Sequence, residues 1–248
     1  MVSSEILQYN KKKTQEPDMT PWKGDFKLKV FWCRVDSWLE DLPSFSALCE
    51  ARHISLEQYL DRKDAVLHCT GRALLRFAWR KTFTPPFPGV GRTEQGKPYF
   101  LTEKKAYCSL SHSGALVLCA LGRIPVGIDT EELLPVSEDL FHALHPEEVR
   151  YIRSFPAEEQ DAAFYRIWTG KESLVKLEGS GLGALLEMES IVSDCGTLKQ
   201  DLHGRHLQSL DICPEGYISV ICMAREEEVE TNTVSPAELE ADMLPAEE

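Results

Sequence analysis

The feature that most constrains the fold is a helical pattern near residue 170 that carries charge where a core residue is expected. Apolar residues recur there at about 100° per residue and form one stripe, namely Phe164, Ile167, Trp168, Leu174 and Val175. Lys171 falls within this stripe, and Glu172 lies at its edge with Lys176 one turn further on. Such breaks in an apolar pattern are expected at functional sites. The alternative is structural: Lys171 reaches solvent along its aliphatic stem, and Glu172 pairs with Lys176.

The composition is typical of a soluble, cytoplasmic protein. Hydrophobic residues make up 43% of the 248 and charged residues 27%. The longest apolar run, Ala115 to Leu121, is far too short to span a bilayer, and residues 1–15 lack the apolar stretch of a secretion signal. No membrane partner is expected. Eight cysteines are scattered without a CxxC pair, which predicts buried, reduced thiols rather than zinc ligands or disulfides.

The net charge of -13 is concentrated in one segment. Residues 226–248 hold nine of the 40 acidic residues and no Lys or Arg, which leaves 31 acidic against 27 basic residues, a net of -4, in 1–225. This segment lacks apolar periodicity and is predicted to be a disordered acidic tail. Because no Lys/Arg stripe is interleaved with aromatic residues, nucleic acid is not expected as a partner.

Secondary-structure patterns divide the rest of the chain into an irregular segment at 1–25 and two α+β parts, 26–125 and 126–225. The predicted strands are 27–35, 106–110, 115–120, 124–129, 187–193, 205–213 and 217–223. The predicted helices are a short one within 36–52, then 56–82, 138–160 and 161–178. A capping-box pattern at Ser55 begins the helix 56–82. The close spacing of the three strands near residue 115 favours antiparallel neighbours.

Polar residues at two predicted turns are candidates for anion binding. Ser111 and His112 precede Gly114, where a hydroxyl and an imidazole can hold an anion and glycine lets the backbone approach it. A turn satisfied by its own side chains is the commoner explanation of such a pattern. Lys97 lies at the tip of another turn, where most lysines are simply solvated.

An apolar strand leads directly into Asp129 and Glu131. At positions i and i+2 of a strand, both carboxylates point to one face and repel each other unless a cation lies between them. Mg²⁺ is the natural choice, because it takes hard oxygen ligands and usually keeps waters and substrate phosphates. An exposed strand end is the alternative explanation.

Several short motifs occur in a fixed order along the chain. They are Gly96-Lys97-Pro98, Leu110-Ser111-His112-Ser113-Gly114, Gly127-Ile128-Asp129-Thr130-Glu131, Trp168-Thr169-Gly170-Lys171-Glu172-Ser173 with Lys176, and Gly179-Ser180-Gly181-Leu182. In this order they resemble the 4′-phosphopantetheinyl transferase family, specifically its long monomeric surfactin-synthetase-activator (Sfp) type, over residues 55–225. The resemblance implies an α+β fold of two similar halves packed around a central cleft that binds coenzyme A.

The resemblance also implies an activity and its residues. The reaction is Mg²⁺-dependent transfer of 4′-phosphopantetheine from coenzyme A to a serine of an apo acyl or peptidyl carrier protein, which releases adenosine 3′,5′-bisphosphate. The ligands of Mg²⁺, or of Mn²⁺ in its place, would be Asp129, Glu131 and Glu172. The groups that bind coenzyme A phosphates would be Lys97, Ser111, His112 and Lys176. Glu172 would also act as general base, and Glu148, or alternatively Glu147, would assist the metal site.

The resemblance is incomplete at the residues that would bind the nucleotide part of coenzyme A. Relatives commonly carry an arginine in the middle of the first long helix, which contacts the 3′-phosphate, where this chain has Leu67 beside His68. The basic residues of the same helix that would substitute are Arg62, Lys63 and Arg72. Ser109 stands where an asparagine is frequent, a change expected to affect only a turn.

Two other functions are consistent with the sequence. A non-catalytic module that binds coenzyme A or a carrier protein would keep the fold without turnover. Another Mg²⁺-dependent phosphotransferase would use the same carboxylates. The intact set of Asp129, Glu131, Glu172 and Lys176 favours an active transferase.

Overall fold

The computed structural model describes residues 27–84, 86–211 and 215–244. The predicted irregular segment 1–25 and Cys213 lie outside these ranges. Two four-stranded sheets, a two-stranded sheet and two long helices confirm the α+β class. The seven described cysteines are free thiols, and all but the exposed Cys195 are buried. Within the same ranges, no helix is long and apolar enough to cross a membrane.

The first sheet combines strands from both ends of the described chain. Its strands are β1 (Leu28–Arg34), β4 (Tyr107–Ser113), β5 (Leu116–Gly122) and β10 (Val229–Thr233). A separate two-stranded sheet contains β2 (Val90–Arg92) and β3 (Pro98–Phe100). The order in the first sheet is β10-β1-β5-β4. The predicted antiparallel pairing of β4 with β5 is confirmed, and β10 runs parallel to β1.

Three helices belong with the first sheet: α1 (Asp36–Glu40), α2 (Leu42–Ala51) and α3 (Arg62–Thr82). The capping box predicted at Ser55 is wrong, because the side chain of Asp61 caps α3 by accepting from Lys63 N at 2.9 Å. Helix α3 therefore begins later than the predicted residue 56. Its apolar face packs on the face of the sheet that carries Phe31 and Cys119.

The second sheet contains β6 (Val126–Glu132), β7 (Asp201–Leu202), β8 (Arg205–Ser209) and β9 (Tyr217–Met223). Its order is β6-β9-β8-β7, and every pair is antiparallel. β6 thus pairs with β9 rather than with its predicted neighbour β5. The strand predicted at 187–193 is wrong, since this segment contributes only an isolated bridge between Val192 and Leu198.

The helical structure predicted at 138–160 is confirmed, but it is divided into three pieces. The pieces are a 3₁₀ segment (Glu138–Ala143), helix α4 (Pro146–Arg153) and the first residues of helix α5 (Ala157–Glu178). Prolines fit only the first turn of a helix, so Pro146 and Pro156 each mark a new start. Gly179 follows helix α5, and its φ of 70° makes a left-handed C-cap.

The prediction of a disordered acidic tail is wrong for residues 226–244. β10 forms an edge of the first sheet, followed by the short helix α6 (Pro236–Leu239), and Leu239 and Met243 enter the core against α3. The acidic side chains find cations of the first sheet and of α3: Lys27 with Glu228, Lys29 with Glu230, and Arg80 with Asp242. These ion pairs cannot be seen in the composition, because their partners are far apart in the sequence.

The two sheets share a layer of buried residues. One side of the first sheet contributes Val30, Leu116 and Leu118 to this layer, and the second sheet contributes Ile128 and Ile221. The far side of the second sheet packs on α5 through Val220 and Cys222. The edge strands β4 and β6 meet where the sheets join, and the polar residues of the predicted motifs lie along that line.

Candidate functional site

Helix α5 lies directly on strand β6, which brings the charges of two predicted motifs together. A Cβ atom at Gly127 would stand 1.9 Å from the carbonyl oxygen of Ser173 and 2.4 Å from the nitrogen of Leu177. Only glycine permits such a close approach of helix and strand. The carboxylates that follow Gly127 therefore meet the last turns of α5.

Asp129 is the centre of the site and is only 2% exposed. Its Oδ1 accepts hydrogen bonds from Lys176 Nζ at 2.6 Å and from Ser111 Oγ at 2.8 Å, and Lys176 Nζ also lies 2.9 Å from Ser111 Oγ. Burial raises the pKa of Asp129, while Lys176 and Ser111 oppose that rise. Its Oδ2 is buried and accepts no hydrogen bond from any described residue. A buried, unpartnered carboxylate oxygen is costly and needs an explanation.

Glu172 does not pair with Lys176 as the structural alternative predicted, because Lys176 pairs with Asp129. Burial, followed by the nearby carboxylates of Asp129 and Glu131, raises the pKa of Glu172 to about 7. A carboxyl group that titrates near neutral pH is suited to exchange a proton there.

Glu131 lies beside Asp129 as the strand pattern predicted. Its Oε2 accepts a hydrogen bond from Ser113 Oγ at 2.8 Å. Burial raises the pKa of Glu131, and the charge of Asp129 raises it further. Asp129, Glu131 and Glu172 thus form one cluster of mutually repelling carboxylates.

The cluster fits a divalent cation by its donor chemistry. Three carboxylates offer the hard oxygen donors that Mg²⁺ prefers, and the unpartnered Asp129 Oδ2 is a ready ligand atom. Across the described ranges, no three His, Cys, Asp or Glu side chains are already gathered tightly enough to enclose a metal ion. The donor types thus suit Mg²⁺, while the carboxylates of Asp129 and Glu131 are held by Lys176, Ser111 and Ser113 in this arrangement.

Lys171 and Glu148 form a second, sealed ion pair. Lys171 is 1% exposed, so it does not reach solvent as the structural alternative predicted, and its Nζ lies 2.8 Å from Glu148 Oε2. The same oxygen accepts from His145 N at 2.9 Å, and Oε1 accepts from Ile191 N at 3.0 Å. Both carboxylate oxygens of Glu148 are hydrogen-bonded within the core, so its contacts do not support the predicted role at the metal site. The side chain of its neighbour Glu147 instead lies 3.8 Å from His145 Nδ1 and 3.7 Å from the Arg150 guanidinium, in the first turn of α4.

Ser111 and His112 lie within strand β4, so the tight turn predicted there is wrong. Successive side chains of a strand point to opposite faces, and Ser111 therefore faces the second sheet while His112 faces α3. The imidazole of His112 meets that of His68 edge to face, with ring centroids 4.9 Å apart. Burial lowers the pKa of both histidines, and each has cations nearby, Lys176 for His112 and Arg72 for His68.

His68 of α3 reaches this site, although no sequence motif singled it out. Leu67, at the position expected for an arginine, is buried in the core. Arg62 donates to the Leu56 carbonyl at 3.4 Å, and Arg72 donates to Cys69 Sγ at 3.2 Å. At about 100° per residue, Arg62 and Lys63 lie on other sides of α3 from His68. The helical face on which a residue lies therefore predicts its contact with the site better than its sequence distance from Leu67.

Lys97 lies at the carboxyl end of α5. Its Nζ donates to the Leu177 carbonyl at 2.5 Å, and burial lowers the pKa of its ammonium group. A cation at this end is favoured by the helix dipole. The phosphate contact assigned to Lys97 stays a prediction.

Comparison with known proteins gives a consistent result. A family sequence model described as the 4′-phosphopantetheinyl transferase superfamily matches residues 125–216, which include Asp129, Glu131, Glu172 and Lys176. A 4′-phosphopantetheinyl transferase of Bacillus subtilis is 27% identical over 208 residues, 79% of this chain and 92% of the relative. The 4′-phosphopantetheinyl transferase Sfp of Bacillus subtilis (strain 168) is 31% identical over 53% of this chain and 61% of its own length. The 4′-phosphopantetheinyl transferase AcpT of Salmonella typhimurium is 33% identical over 52% of this chain and 67% of its own length.

Proposed function

Since this chain belongs to the 4′-phosphopantetheinyl transferase superfamily and is an enzyme of that class, we propose that it modifies a carrier protein. The reaction is transfer of 4′-phosphopantetheine from coenzyme A to a serine of an apo acyl or peptidyl carrier protein. The bond from the serine Oγ to the transferred phosphorus forms, the pyrophosphate bond of coenzyme A breaks, and adenosine 3′,5′-bisphosphate leaves. The serine proton passes to a base.

The observation that carries this proposal is the polar cluster at the joint of the two sheets. Three carboxylates lie beside Lys176, and one oxygen of the buried Asp129 has no hydrogen-bond partner among the described residues. Phosphoryl transfer needs charge neutralisation and positioning rather than a covalent protein nucleophile. A cation-binding cluster with an adjacent lysine suits that requirement.

Mg²⁺, or Mn²⁺, would be held by Asp129, Glu131 and Glu172 and would neutralise phosphate charge when bound. Lys176 adds a fixed positive charge and orients Asp129 through its 2.6 Å contact. Glu172 is the proposed general base, because its carboxylate lies in the same cluster as the groups that would hold the metal and the phosphates.

Coenzyme A phosphates are proposed to bind at the edge of this cluster. Ser111 and Lys176 line one side of β4, and His112 with His68 lines the other. Lys97 would have to leave the Leu177 carbonyl to contribute. We also propose that each sheet with its long helix is one of two similar halves around the coenzyme A cleft, and that the enzyme acts as a cytoplasmic monomer.

The deciding experiment incubates the protein with coenzyme A, Mg²⁺ and an apo carrier protein and measures the mass of the carrier. A gain of one phosphopantetheine group is expected, and a carrier whose modified serine is replaced by alanine should gain nothing. Binding of coenzyme A without any carrier modification would favour the non-catalytic module. Cleavage of coenzyme A with transfer to water or to a small molecule would favour another phosphotransferase.

A further inference from the structure

Three serines join strands β4 and β6, which belong to different sheets. Each serine Oγ accepts a hydrogen bond from a backbone N–H of β6, and the pairs are Ser109 with Ile128 at 3.0 Å, Ser111 with Thr130 at 3.3 Å and Ser113 with Glu132 at 3.1 Å. The constant sequence offset shows that the two strands run parallel. The serine side chains thus replace the backbone ladder that would otherwise join two neighbouring strands.

Two of the three serines have a second task. A hydroxyl accepts through its lone pairs and donates its one proton. Ser111 donates to Asp129 and Ser113 donates to Glu131, each at 2.8 Å. The residue of β6 in the corresponding place for Ser109 is Gly127, which has no side chain to receive a bond. Ser109 is therefore a natural control, with the strand contact and without the carboxylate contact.

The backbone next to Ser113 is fixed on the second sheet. The turn residue Gly114 has a φ of +54°, and a Cβ there would lie 2.6 Å from the Tyr217 hydroxyl. That hydroxyl accepts a hydrogen bond from Ala115 N at 3.0 Å. A hydroxyl on a fixed strand end can hold a carboxylate in one orientation.

We propose that Ser113 is a positioning residue, which orients Glu131 as a ligand of the catalytic divalent cation. The inference rests on the proposed function, because it gives Glu131 the metal-binding role assigned there. Lys176 is already engaged with Asp129 and Ser111, so the Ser113 hydroxyl is the donor that holds Glu131 beside the like charge of Asp129. Without that donor, repulsion turns the Glu131 carboxylate away from the cluster.

The test compares Ser113→Val with Ser113→Thr, two side chains of nearly the same shape of which only threonine keeps the hydroxyl. Ser109→Ala is the control for loss of a strand contact. Mn²⁺ binding to the full chain with coenzyme A present and no carrier is measured by electron paramagnetic resonance, and melting temperatures are recorded alongside. We expect Ser113→Val to weaken Mn²⁺ binding roughly tenfold, the low end of the range for losing a group that orients a metal ligand. Ser113→Thr and Ser109→Ala should bind Mn²⁺ as the unchanged protein does.

Equal Mn²⁺ affinity of Ser113→Val and Ser113→Thr would overturn the inference, and so would an equal loss in Ser109→Ala or an unchanged protein that binds no Mn²⁺. Carrier modification by the unchanged protein is assayed in parallel. If the carrier is modified while the two Ser113 variants bind Mn²⁺ alike, only the role of Ser113 fails. If no carrier is modified at all, the proposed function fails.

Discussion

Helix α5 carries two ion-paired lysines only five positions apart, and their surroundings differ. Lys171 and Glu148 are 1% and 0% exposed, and every carboxylate oxygen of Glu148 has a donor. The Lys176 side chain is 30% exposed, and the second oxygen of its partner Asp129 has no donor among the described residues. The first pair is closed, whereas the second is partly exposed and leaves one carboxylate oxygen without a partner in the described part of the chain.

The difference separates an ion pair that only stabilises the fold from one whose groups can take part in binding or catalysis. A buried pair with all acceptors engaged has nothing left to bind, so removing one member leaves an uncompensated charge in the core. Disrupting a partly exposed pair with an unpartnered acceptor costs less stability, and that acceptor can bind a substrate or a cation. Lys171 attracted attention in the sequence because it interrupts an apolar stripe, yet Lys176 is the lysine in contact with the candidate site.

The largest expected effect comes from opening the closed pair. Lys171→Met should lower the free energy of unfolding by about 3–5 kcal/mol, because Glu148 is left charged in the core. Urea denaturation measures the loss. The double change Lys171→Met with Glu148→Leu should recover most of it, whereas a single change that costs under about 1 kcal/mol would show that the pair is not closed.

The next effect concerns chemistry rather than stability. Glu172→Gln keeps the size of the side chain but cannot accept a proton, so turnover should fall roughly 10²–10⁴-fold while coenzyme A still binds. The melting temperature should not fall, since a buried carboxyl with a raised pKa is replaced by a neutral group. Glu158→Gln, in the exposed first turn of α5, is the matched control. Near-normal turnover of Glu172→Gln would show that another group is the general base.

A smaller loss of stability is expected from the open pair. Lys176→Met should cost about 1–2 kcal/mol, because Asp129 keeps its bond from Ser111 and can take up a proton. Carrier modification should nevertheless fall steeply, since the positive charge beside the carboxylates is gone. Paired denaturation and activity measurements on Lys171→Met and Lys176→Met test the contrast, and equal stability losses would contradict it.

The smallest effect is a pH dependence of stability without metal. Glu172 titrates at about 7 in the folded protein against an ordinary value of 4.5, so between these values the folded state keeps a proton that the unfolded state has released. Stability from this group is therefore lost as the pH rises through that window. Denaturation in a chelator at several pH values should show the decline, and Glu172→Gln should reduce it. An unchanged slope would assign the decline to other groups.

Local patterns predicted the helices that carry the site, the strand into Asp129, and the shared face of Asp129 and Glu131. They did not predict which carboxylate each lysine binds, because that depends on how closely β6 approaches α5 at Gly127. The partner of Lys171 lies 23 residues away on another helix. The strand in the acidic C-terminal segment was missed for a similar reason, since the cations that pair with this segment are Lys27 and Lys29 at the start of β1 and Arg80 on α3. Long-range packing decided each of these cases.

The parallel pairing of β1 with β10 has a consequence during translation. The paired residues, Leu28 with Val229 and their neighbours, are made about 200 residues apart, which at roughly 5–20 residues per second is about 10–40 s. During that interval β1 has an open edge, and open strand edges recruit other chains. Nascent chains of this enzyme therefore expose an unpaired strand edge for most of their synthesis. When several ribosomes translate one mRNA, such edges come close together. Slow codons placed before residue 229 would lengthen the exposure, so codon choice in that stretch would affect the yield of folded enzyme.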